Sequence, residues 1–454
     1  VDTAHDDRDA FRYALLDADG ATIYERTTPG PVIVRDFLDY YGESSGFELL
    51  ELYPPLGAFP VMVPLLDGAA AVELHLRDDD GDYRLAGSYD LGLQTADDQG
   101  LADEVTDWAT LWDSGPGEHR LDIALLGDGY TAEQQGQWQG DAEALAAAIL
   151  EAEPFASYAG SINIHRVDAV SNESGASYDC VGECRTRDTV YQSVFPLELV
   201  NEVLGTSYRT SAIFQLDQWL VARAASVVPW DFVLVLANTE HSGGFAVHYA
   251  SVARSGNWGG IAVHELAHVV GLLGDEYEND ACIRTDALGL PGNIADDAEN
   301  TPWAHWIDEA TPLPTPESGE YREVVGAFEG AYNCDDLFRP QQTCRMSSSS
   351  SGEFCAACGE LLTRRLFRYI DPATGVTVAD TAGGLAFAVN GLHDAASVSW
   401  WLDGERVGEA ATLTLADADW GGQSHALEVR TTASSAFVLE DGGDLAQSWW
   451  FDLR

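Results

Sequence analysis

Lysine is missing from this sequence of 454 residues, and basic charge of any kind is scarce. Lysine and arginine together number 23, all of them arginine, against 75 aspartates and glutamates, so the formal net charge at pH 7 is −52. A protein that binds nucleic acid by neutralising phosphates needs basic side chains gathered on its surface. The composition therefore excludes nucleic acid as a partner.

Long apolar runs are also missing. No stretch approaches the roughly 20 apolar residues that cross a bilayer as a helix, so the chain is not expected to be membrane-embedded. Hydrophobic residues nevertheless make up 46% of the sequence and aromatic residues 10%, which is enough for folded cores and unlike a disordered acidic tail. At roughly 100 to 200 residues per domain, the length predicts two to four domains.

The acidic surplus has two interpretations, and the sequence leaves both open. Surface carboxylates keep a protein soluble, or they adapt it to high salt, where cations screen the self-repulsion that would otherwise destabilise the compact state. Neither interpretation concerns catalysis, because the charge belongs to a solvated surface.

Cysteine is sparse, with seven residues, but two pairs are close in sequence, Cys180 with Cys184 and Cys355 with Cys358. Close pairs and only two methionines favour a disulfide-permissive location, in a secreted, cell-surface or periplasmic protein. Residues 1–9 are acidic and lack the basic and apolar segments of a signal peptide, so an exported protein would have lost its leader.

Turn chemistry divides the chain into three predicted domains. Short segments rich in β-formers indicate an antiparallel sandwich over residues 1–118, with 101–119 as a connector to the next domain. Strands and helices alternate over 119–371, which is typical of an α/β domain. Short segments rich in β-formers occur again over 372–454, and their alternating pattern predicts an Ig-like sandwich with one buried face per sheet.

The segment from Ile261 to Tyr277 contains the candidate metal-binding and catalytic residues. His264 and His268 are four residues apart and share one face of a predicted helix, where two neutral imidazoles can bind one zinc ion. Glu265 follows the first histidine and is placed to hold and deprotonate a water on the metal. Apolar residues fill the other faces and indicate a helix buried inside a domain: Ala262, Val263, Leu266, Ala267, Val269 and Val270.

The string from His264 to Tyr277 resembles the IgA-specific metallo-endopeptidases, a family of secreted bacterial zinc peptidases of the HExxH, metzincin-like type. Weaker landmarks follow the family's order: Gly127–Thr131, Ser171–Gly175, Gly243–Phe245, Gly326–Tyr332, Arg339–Pro340, Cys344–Met346 and Phe354–Cys358. The resemblance covers about 121–370. It implies a metzincin-like shape, with an edge strand before the zinc helix and a methionine-containing turn after it.

Two predictions follow from that implied shape. The edge strand is expected at Phe245–Tyr249, so that Gly244, Phe245 and Ala246 would bind an extended substrate by backbone pairing; an ordinary sheet strand is the alternative. Met346 is the candidate for the turn beneath the metal, and the alternative is a methionine that fills a gap in the core.

The third metal ligand is the least determined part of the site. In the metzincin pattern it comes ten residues after the first histidine, but Gly274 stands there and has no side chain to offer. Asp275 comes next and is the preferred ligand, on the expectation that the glycine adopts a positive φ in a tight return. Glu276, Glu278 or a distant residue remain alternatives.

Further residues allow more than one role. Tyr277 and Tyr332 are both candidates for stabilising an oxyanion. A structural calcium ion could bind Asp296, Asp297 and Glu299, although the spacing is not that of an EF-hand. Four cysteines could form a second, structural zinc site or disulfides, and disulfides are preferred because the spacing matches no zinc module: Cys334, Cys344, Cys355 and Cys358.

The sequence thus predicts a zinc-dependent endopeptidase that hydrolyses extracellular proteins, with a zincin/metzincin-like α/β domain flanked by two all-β sandwiches. One alternative is a surface protein that keeps the fold but only binds a glycan or protein. Another is a zinc exopeptidase. The intact Glu265 favours catalysis, since a binding protein has no need of a base beside the metal. The physiological substrate and the oligomeric state are not indicated.

Overall fold

The computed structural model describes most of the chain, in segments separated by gaps. These are residues 11–28, 68–77, 83–91, 104–179, 186–196, 199–201, 206–208, 212–216, 218–246, 249–277, 290–332, 334–348, 352–393, 395–416, 424–439 and 445–453. Among them, no helix is long and apolar enough to cross a membrane.

The amino-terminal part contains four antiparallel strands. They are β1 (Phe11–Leu16), β2 (Thr22–Thr28), β3 (Ala71–Arg77) and β4 (Tyr83–Asp90), in the order β2-β1-β3-β4. Gly20 has φ 82° in the turn between the first two strands, as the Asp19-Gly20 pair predicts. The sequence pattern also predicts strands at Pro31–Val34, Phe47–Tyr53 and Val61–Leu65, which lie outside the described residues.

The central part alternates strands and helices. In chain order it contains β5 (Val105–Trp112), β6 (Leu121–Asp128), α1 (Gln135–Leu150), β7 (Ile162–Ala169), β8 (Ser177–Asp179), β9 (Ser193–Pro196), β10 (Leu199–Asn201), β11 (Thr206–Tyr208), β12 (Phe214–Gln215), α2 (Gln218–Ala225), β13 (Phe232–Ala237), β14 (Gly244–Ala246), β15 (Ala250–Ala253), α3 (Trp258–Gly271), β16 (Phe328–Ala331), β17 (Cys334–Arg339) and α4 (Ala356–Leu366). Short 3₁₀ helices span Gly117–His119, Ala132–Gln134, Ala156–Ser161 and Ala304–Trp306.

A six-stranded mixed sheet organises this part, in the order β14-β15-β13-β6-β7-β5. The four inner strands are parallel, whereas β14 and β5 run antiparallel to their neighbours at the two edges. Alternate residues of β6 face opposite sides: Ile123 and Leu125 pack in the cluster of α1 and α3, while Ala124 and Leu126 pack in that of α2. Coverage of both faces explains why this strand is a nearly continuous apolar run.

The predicted connector 101–119 is wrong in part. Residues Val105–Trp112 form β5, which pairs antiparallel with β7 at the edge of the central sheet. This pairing joins residues more than 50 positions apart in sequence, and the local pattern carries no sign of it. The sheet therefore begins before residue 119, where the sequence placed the start of the catalytic domain.

The main helices lie close to their predicted positions. Helix α1 follows a turn in which the side chain of Gln134 accepts the Thr131 N–H at 3.1 Å, as the capping-box pattern predicts. Its residues Trp138, Ala142, Leu145 and Ile149 are buried on one face. For helix α4 the sequence pattern predicts Cys358–Ile370, and the structure has the helix at Ala356–Leu366.

The carboxy-terminal part contains β18 (Gly375–Thr381), β19 (Gly384–Asn390), β20 (Ala396–Leu402), β21 (Glu405–Gly408), β22 (Thr412–Ala416), β23 (His425–Ala433) and β24 (Ala446–Leu453). They form two sheets, in the orders β18-β19-β22 and β21-β20-β23-β24. Phe387 of the first sheet and Val398, Trp400 and Leu427 of the second belong to one buried cluster.

Candidate metal centre

Helix α3 lies in the interior of the central part. From Ala262 to Gly271 every residue is buried, because helices α1 and α4 pack against it and β15 lies beneath it. At Gly271 an added Cβ would lie 2.7 Å from Leu362 Cδ2 of α4, so the glycine permits this close packing. The sequence prediction of a buried helix carrying His264 and His268 is confirmed.

The turn after α3 differs from its prediction. The residue with positive φ is Leu272, at φ 53° and ψ 34°, whereas the expectation was a positive φ at Gly274. Gly274 is needed for space instead, since an added Cβ would lie 2.7 Å from Pro291 Cγ. Asn293 fixes the turn by accepting the Gly274 N–H at 2.8 Å and donating to the Gly274 carbonyl at 2.9 Å.

This turn brings three buried side chains together. The Nε2 atoms of His264 and His268 are 3.2 Å apart, and Asp275 Oδ1 lies 3.0 Å from the first and 3.2 Å from the second. Zinc bound tetrahedrally by nitrogen and oxygen at ~2.0–2.2 Å would hold its ligand atoms roughly 3.3–3.6 Å apart. The observed spacing is close to that geometry.

The hydrogen bonds on the far side of each imidazole set its tautomer. His264 Nδ1 lies 2.9 Å from the Arg345 carbonyl, and His268 Nδ1 lies 2.7 Å from the Leu273 carbonyl. A carbonyl oxygen only accepts, so both Nδ1 atoms donate and both neutral rings present an Nε2 lone pair to the site. Three acceptors then face one another, and Asp275 Oδ1 has no hydrogen-bond donor. A bound cation would satisfy all three.

The pKa shifts of His264 and Asp275 also indicate a site that attracts a cation. Burial lowers the pKa of His264, but the neighbouring carboxylate of Asp275 outweighs burial and raises that pKa to about 9. Burial likewise raises the pKa of Asp275, while the two histidines outweigh burial and hold it well below its ordinary value. The site thus attracts positive charge, as a proton or as a metal ion.

Asp275 is held in place from two sides. The Tyr277 hydroxyl donates to Oδ2 at 2.9 Å, which leaves Oδ1 turned towards the histidines. The Tyr332 N–H donates to the Asp275 carbonyl at 3.0 Å. Sequence reasoning considered both tyrosines only as oxyanion donors and missed their contacts with Asp275, the predicted third ligand. Tyr277 is two residues from Asp275, a proximity that could have suggested the contact.

Glu265 is buried beside His264, and the charge of Glu265 contributes to the raised pKa of that histidine. Its carboxylate reaches strand β14. A Cβ built on Gly244 would lie 2.4 Å from Glu265 Oε1 and 2.5 Å from Ile261 Cγ2. The glycine therefore leaves the room that the carboxylate occupies, a requirement that the sequence did not reveal.

Strand β14 spans Gly244–Ala246, so it begins one residue before the predicted Phe245–Tyr249 and is shorter. It is an end strand of the central sheet and pairs with β15. The ring of Phe245 lies 6.4 Å from that of Phe214 in β12. Substrate binding by Gly244, Phe245 and Ala246 stays a prediction.

Met346 is fully buried in the cluster that contains α3. Its carbonyl accepts the Glu276 N–H at 2.9 Å, and the preceding carbonyl, of Arg345, orients His264. The Cys344–Met346 segment therefore contacts both the helix and the turn that carries Asp275. Whether Met346 acts as the predicted methionine beneath the metal stays a prediction.

The preference for disulfides among the later cysteines is wrong for three of them. Cys344, Cys355 and Cys358 are free and buried, while Cys334 is disulfide-bonded. Glu276 turns away from the histidines, and its Oε1 lies 2.9 Å from Cys358 Sγ. The described residues thus contain two groups that could hold a metal, His264 with His268 and Asp275, and Glu276 with the three thiols.

The remaining acidic candidates join neither group. Asp296, Asp297 and Glu299 are exposed, and Asp297 Oδ1 accepts the Glu299 N–H at 2.9 Å in a local turn. A calcium site there stays a prediction. Glu278, the fallback for the third ligand, lies outside the described residues.

The part of the chain that contains these candidate ligands matches a known peptidase family. Residues 109–323 match the model of the IgA peptidase M64 family, and the match contains the two histidines, Glu265 and Asp275. This part of the chain is similar to the IgA peptidase M64 family. An M64 peptidase is a hydrolase whose substrate is a peptide or protein, and the family's character as a metallopeptidase agrees with the two groups of ligand side chains. No curated protein matches this chain.

Proposed function

We propose that this protein is a zinc-dependent endopeptidase of the IgA peptidase M64 family, in which His264, His268 and Asp275 hold the metal and Glu265 is the general base. One observation carries the proposal: the lone pairs of both Nε2 atoms and Asp275 Oδ1 converge within 3.2 Å of one another. A carboxylate follows the first histidine on the same buried helix, which is the arrangement of HExxH peptidases.

Each residue has a defined task in the proposed reaction. When bound, zinc supplies a Lewis acid that polarises the scissile carbonyl and lowers the pKa of a water towards ~7. Glu265 accepts a proton from that water and returns it to the nitrogen of the leaving amine. Water is the nucleophile, so no covalent bond forms between enzyme and substrate. Tyr332 is the remaining candidate for the oxyanion, since the Tyr277 hydroxyl donates to Asp275.

The substrate is proposed to lie extended along β14. The close approach of Gly244 to the Glu265 carboxylate would set a peptide on this strand beside the base. Pairing with an edge strand engages the backbone on both sides of the scissile bond and does not need a chain terminus. This supports an endopeptidase over an exopeptidase, and the lengths of products from an end-blocked peptide distinguish the two.

The proposal includes the fold class and the location. A buried helix with both histidines, packed on a mixed sheet with an antiparallel edge strand, supports a zincin/metzincin-like catalytic domain, with the β-rich parts on either side as sandwiches. The disulfide bond of Cys334 supports an exported protein that acts on extracellular proteins, because disulfides persist in oxidising compartments.

Hydrolysis of fluorescently labelled casein tests the proposal. The purified chain is expected to cleave it, to lose activity on treatment with a chelator, and to regain activity with Zn²⁺. End-blocked peptides should yield internal cleavage products. A zinc-loaded chain that leaves both casein and a broad peptide library intact would contradict the proposal and favour the surface binding protein.

A further inference from the structure

We propose that Glu276, Cys344, Cys355 and Cys358 form a second metal site, which is structural and takes a thiophilic divalent cation, Zn²⁺ foremost. The site is distinct from the His264, His268 and Asp275 group but begins at the adjacent residue. It lies where the turn after α3 meets the segment before Met346 and the start of α4.

The four side chains are buried and convergent. Each offers one donor atom, and these atoms lie within 4.8 Å of one another. Glu276 Oε1 is 2.9 Å from Cys358 Sγ and 3.8 Å from Cys355 Sγ. Zinc–sulfur bonds of ~2.3 Å in a tetrahedron place sulfur atoms roughly 3.8 Å apart, so a cluster of this size matches a single ion.

Without a cation, this arrangement leaves a polar group unsatisfied in an apolar core. The three thiols belong to the main buried cluster of the central part. Glu276 is 1% exposed, Asn293 donates to its Oε1 at 3.1 Å, and its Oε2 has no hydrogen-bond partner. Burying a carboxyl group in this way is costly unless it is paired or coordinates a metal.

The donor set indicates the metal and the role. Thiolates select zinc over magnesium or calcium. Four protein donors complete a tetrahedron and leave no position for a water or substrate, which is the mark of a structural site. Two local features favour thiolate: the Cys355 N–H donates to Cys344 Sγ at 3.2 Å, and Cys355 immediately precedes helix α4, whose N-terminus carries partial positive charge.

A metal at the proposed structural site would hold the residues of the His264, His268 and Asp275 group in position. Glu276 continues directly from Asp275, and its N–H binds the Met346 carbonyl at 2.9 Å. Cys344 adjoins Arg345, whose carbonyl orients His264 at 2.9 Å. A metal that joins Glu276 to Cys344 and to α4 therefore fixes both the backbone of the third ligand and the acceptor that sets the His264 tautomer. Its loss should weaken the first site as well.

Metal counting on the full chain tests the proposal. Wild-type protein, purified with zinc and dialysed, is expected to hold two zinc ions per chain. The double variant His264→Ala/His268→Ala should hold one, and that ion should persist although hydrolysis of casein is lost. Cys355→Ser/Cys358→Ser should lose the structural ion. The His264→Ala/His268→Ala result depends on no cysteine variant, so it stands even if the serine variant fails to fold.

Cobalt provides a signature that only the thiol site can give. In His264→Ala/His268→Ala, bound Co²⁺ should show sulfur-to-cobalt charge-transfer absorption, and adding Glu276→Ala should weaken its binding by at least tenfold. A double-histidine variant that binds no metal, or binds cobalt without this absorption, would overturn the proposal. So would a disulfide between any two of Cys344, Cys355 and Cys358 in peptides mapped without reduction. None of these outcomes depends on peptidase activity.

Discussion

The peptide bond between Asp275 and Glu276 separates two buried clusters that suit different purposes. On one side, two imidazoles and a carboxylate converge beside Glu265. On the other side, a carboxylate and three thiols converge as four potential ligands. Three donors leave a metal open to water and substrate, whereas four close it. If both clusters bind zinc as proposed, the open position and the neighbouring Glu265, rather than metal binding itself, would distinguish the reactive cluster, His264 with His268 and Asp275.

Removing Asp275, the proposed third ligand of the reactive cluster, should have the largest effect on activity. Asp275→Ala deletes the third ligand and leaves two buried histidines, so the chain should lose the catalytic zinc and all detectable casein hydrolysis. The structural zinc should remain. Metal content after dialysis checks both expectations, with the exposed Asp297 replaced by alanine as control. Full zinc content and activity in Asp275→Ala would show that the third ligand lies elsewhere.

Gly244→Ala perturbs the base and should leave both metals in place. The added methyl would lie 2.4 Å from Glu265 Oε1 and must displace that carboxylate. Misplacement by about 1 Å can cost roughly 10²-fold in rate, so kcat should fall by about that factor at unchanged zinc content. Gly160→Ala is the matched control, because Gly160, like Gly244, has no positive φ, and an added Cβ there would meet nothing within 4 Å. Unchanged kcat in Gly244→Ala would remove Glu265 from its assigned position.

Tyr277→Phe should affect metal affinity rather than chemistry. It deletes the hydroxyl that donates to Asp275 Oδ2, and the loss of such an outer hydrogen bond typically costs 10–100-fold in affinity. Competition with a chromogenic chelator should show this weakening for the reactive cluster, while kcat at saturating zinc stays near wild type. A large fall in kcat at full zinc occupancy would instead make Tyr277 an oxyanion donor.

Salt should change the stability of the protein through its surface charges and should leave metal binding at both clusters unchanged. If the net charge of −52 is an adaptation to high salt, the melting temperature should rise between roughly 0.1 and 1 M NaCl, as the Debye length falls from ~10 to ~3 Å. Zinc content should not change, because buried groups are screened little. A flat or falling melting temperature would favour the solubility interpretation.

The parts of the site that were predictable are local in sequence. His264, Glu265 and His268 share one helical turn, and Asp275 was the nearest carboxylate after the helix. The φ angle that the prediction gave to Gly274 belongs to Leu272, because tertiary packing overrides the residue preference for positive φ. The helix itself follows from its apolar faces.

The rest depends on contacts between residues distant in the chain. Glu276 and Cys355 are 79 positions apart, and no spacing rule joins them, so the cysteines suggested disulfides. Strand β5 joins the central sheet through pairs with β7 that its own sequence does not encode. The requirement for glycine at Gly244 appears only when β14 and α3 are placed side by side.

The central claim is that Glu265 is the base of a zinc peptidase, and Glu265→Gln tests it most directly. Glutamine keeps the size of the side chain but cannot accept the water proton, and Glu265 is not among the proposed ligands, so zinc content and melting temperature should match wild type. Casein hydrolysis at equal zinc occupancy should fall by roughly 10²-fold or more. Near-wild-type hydrolysis by this variant would contradict the account.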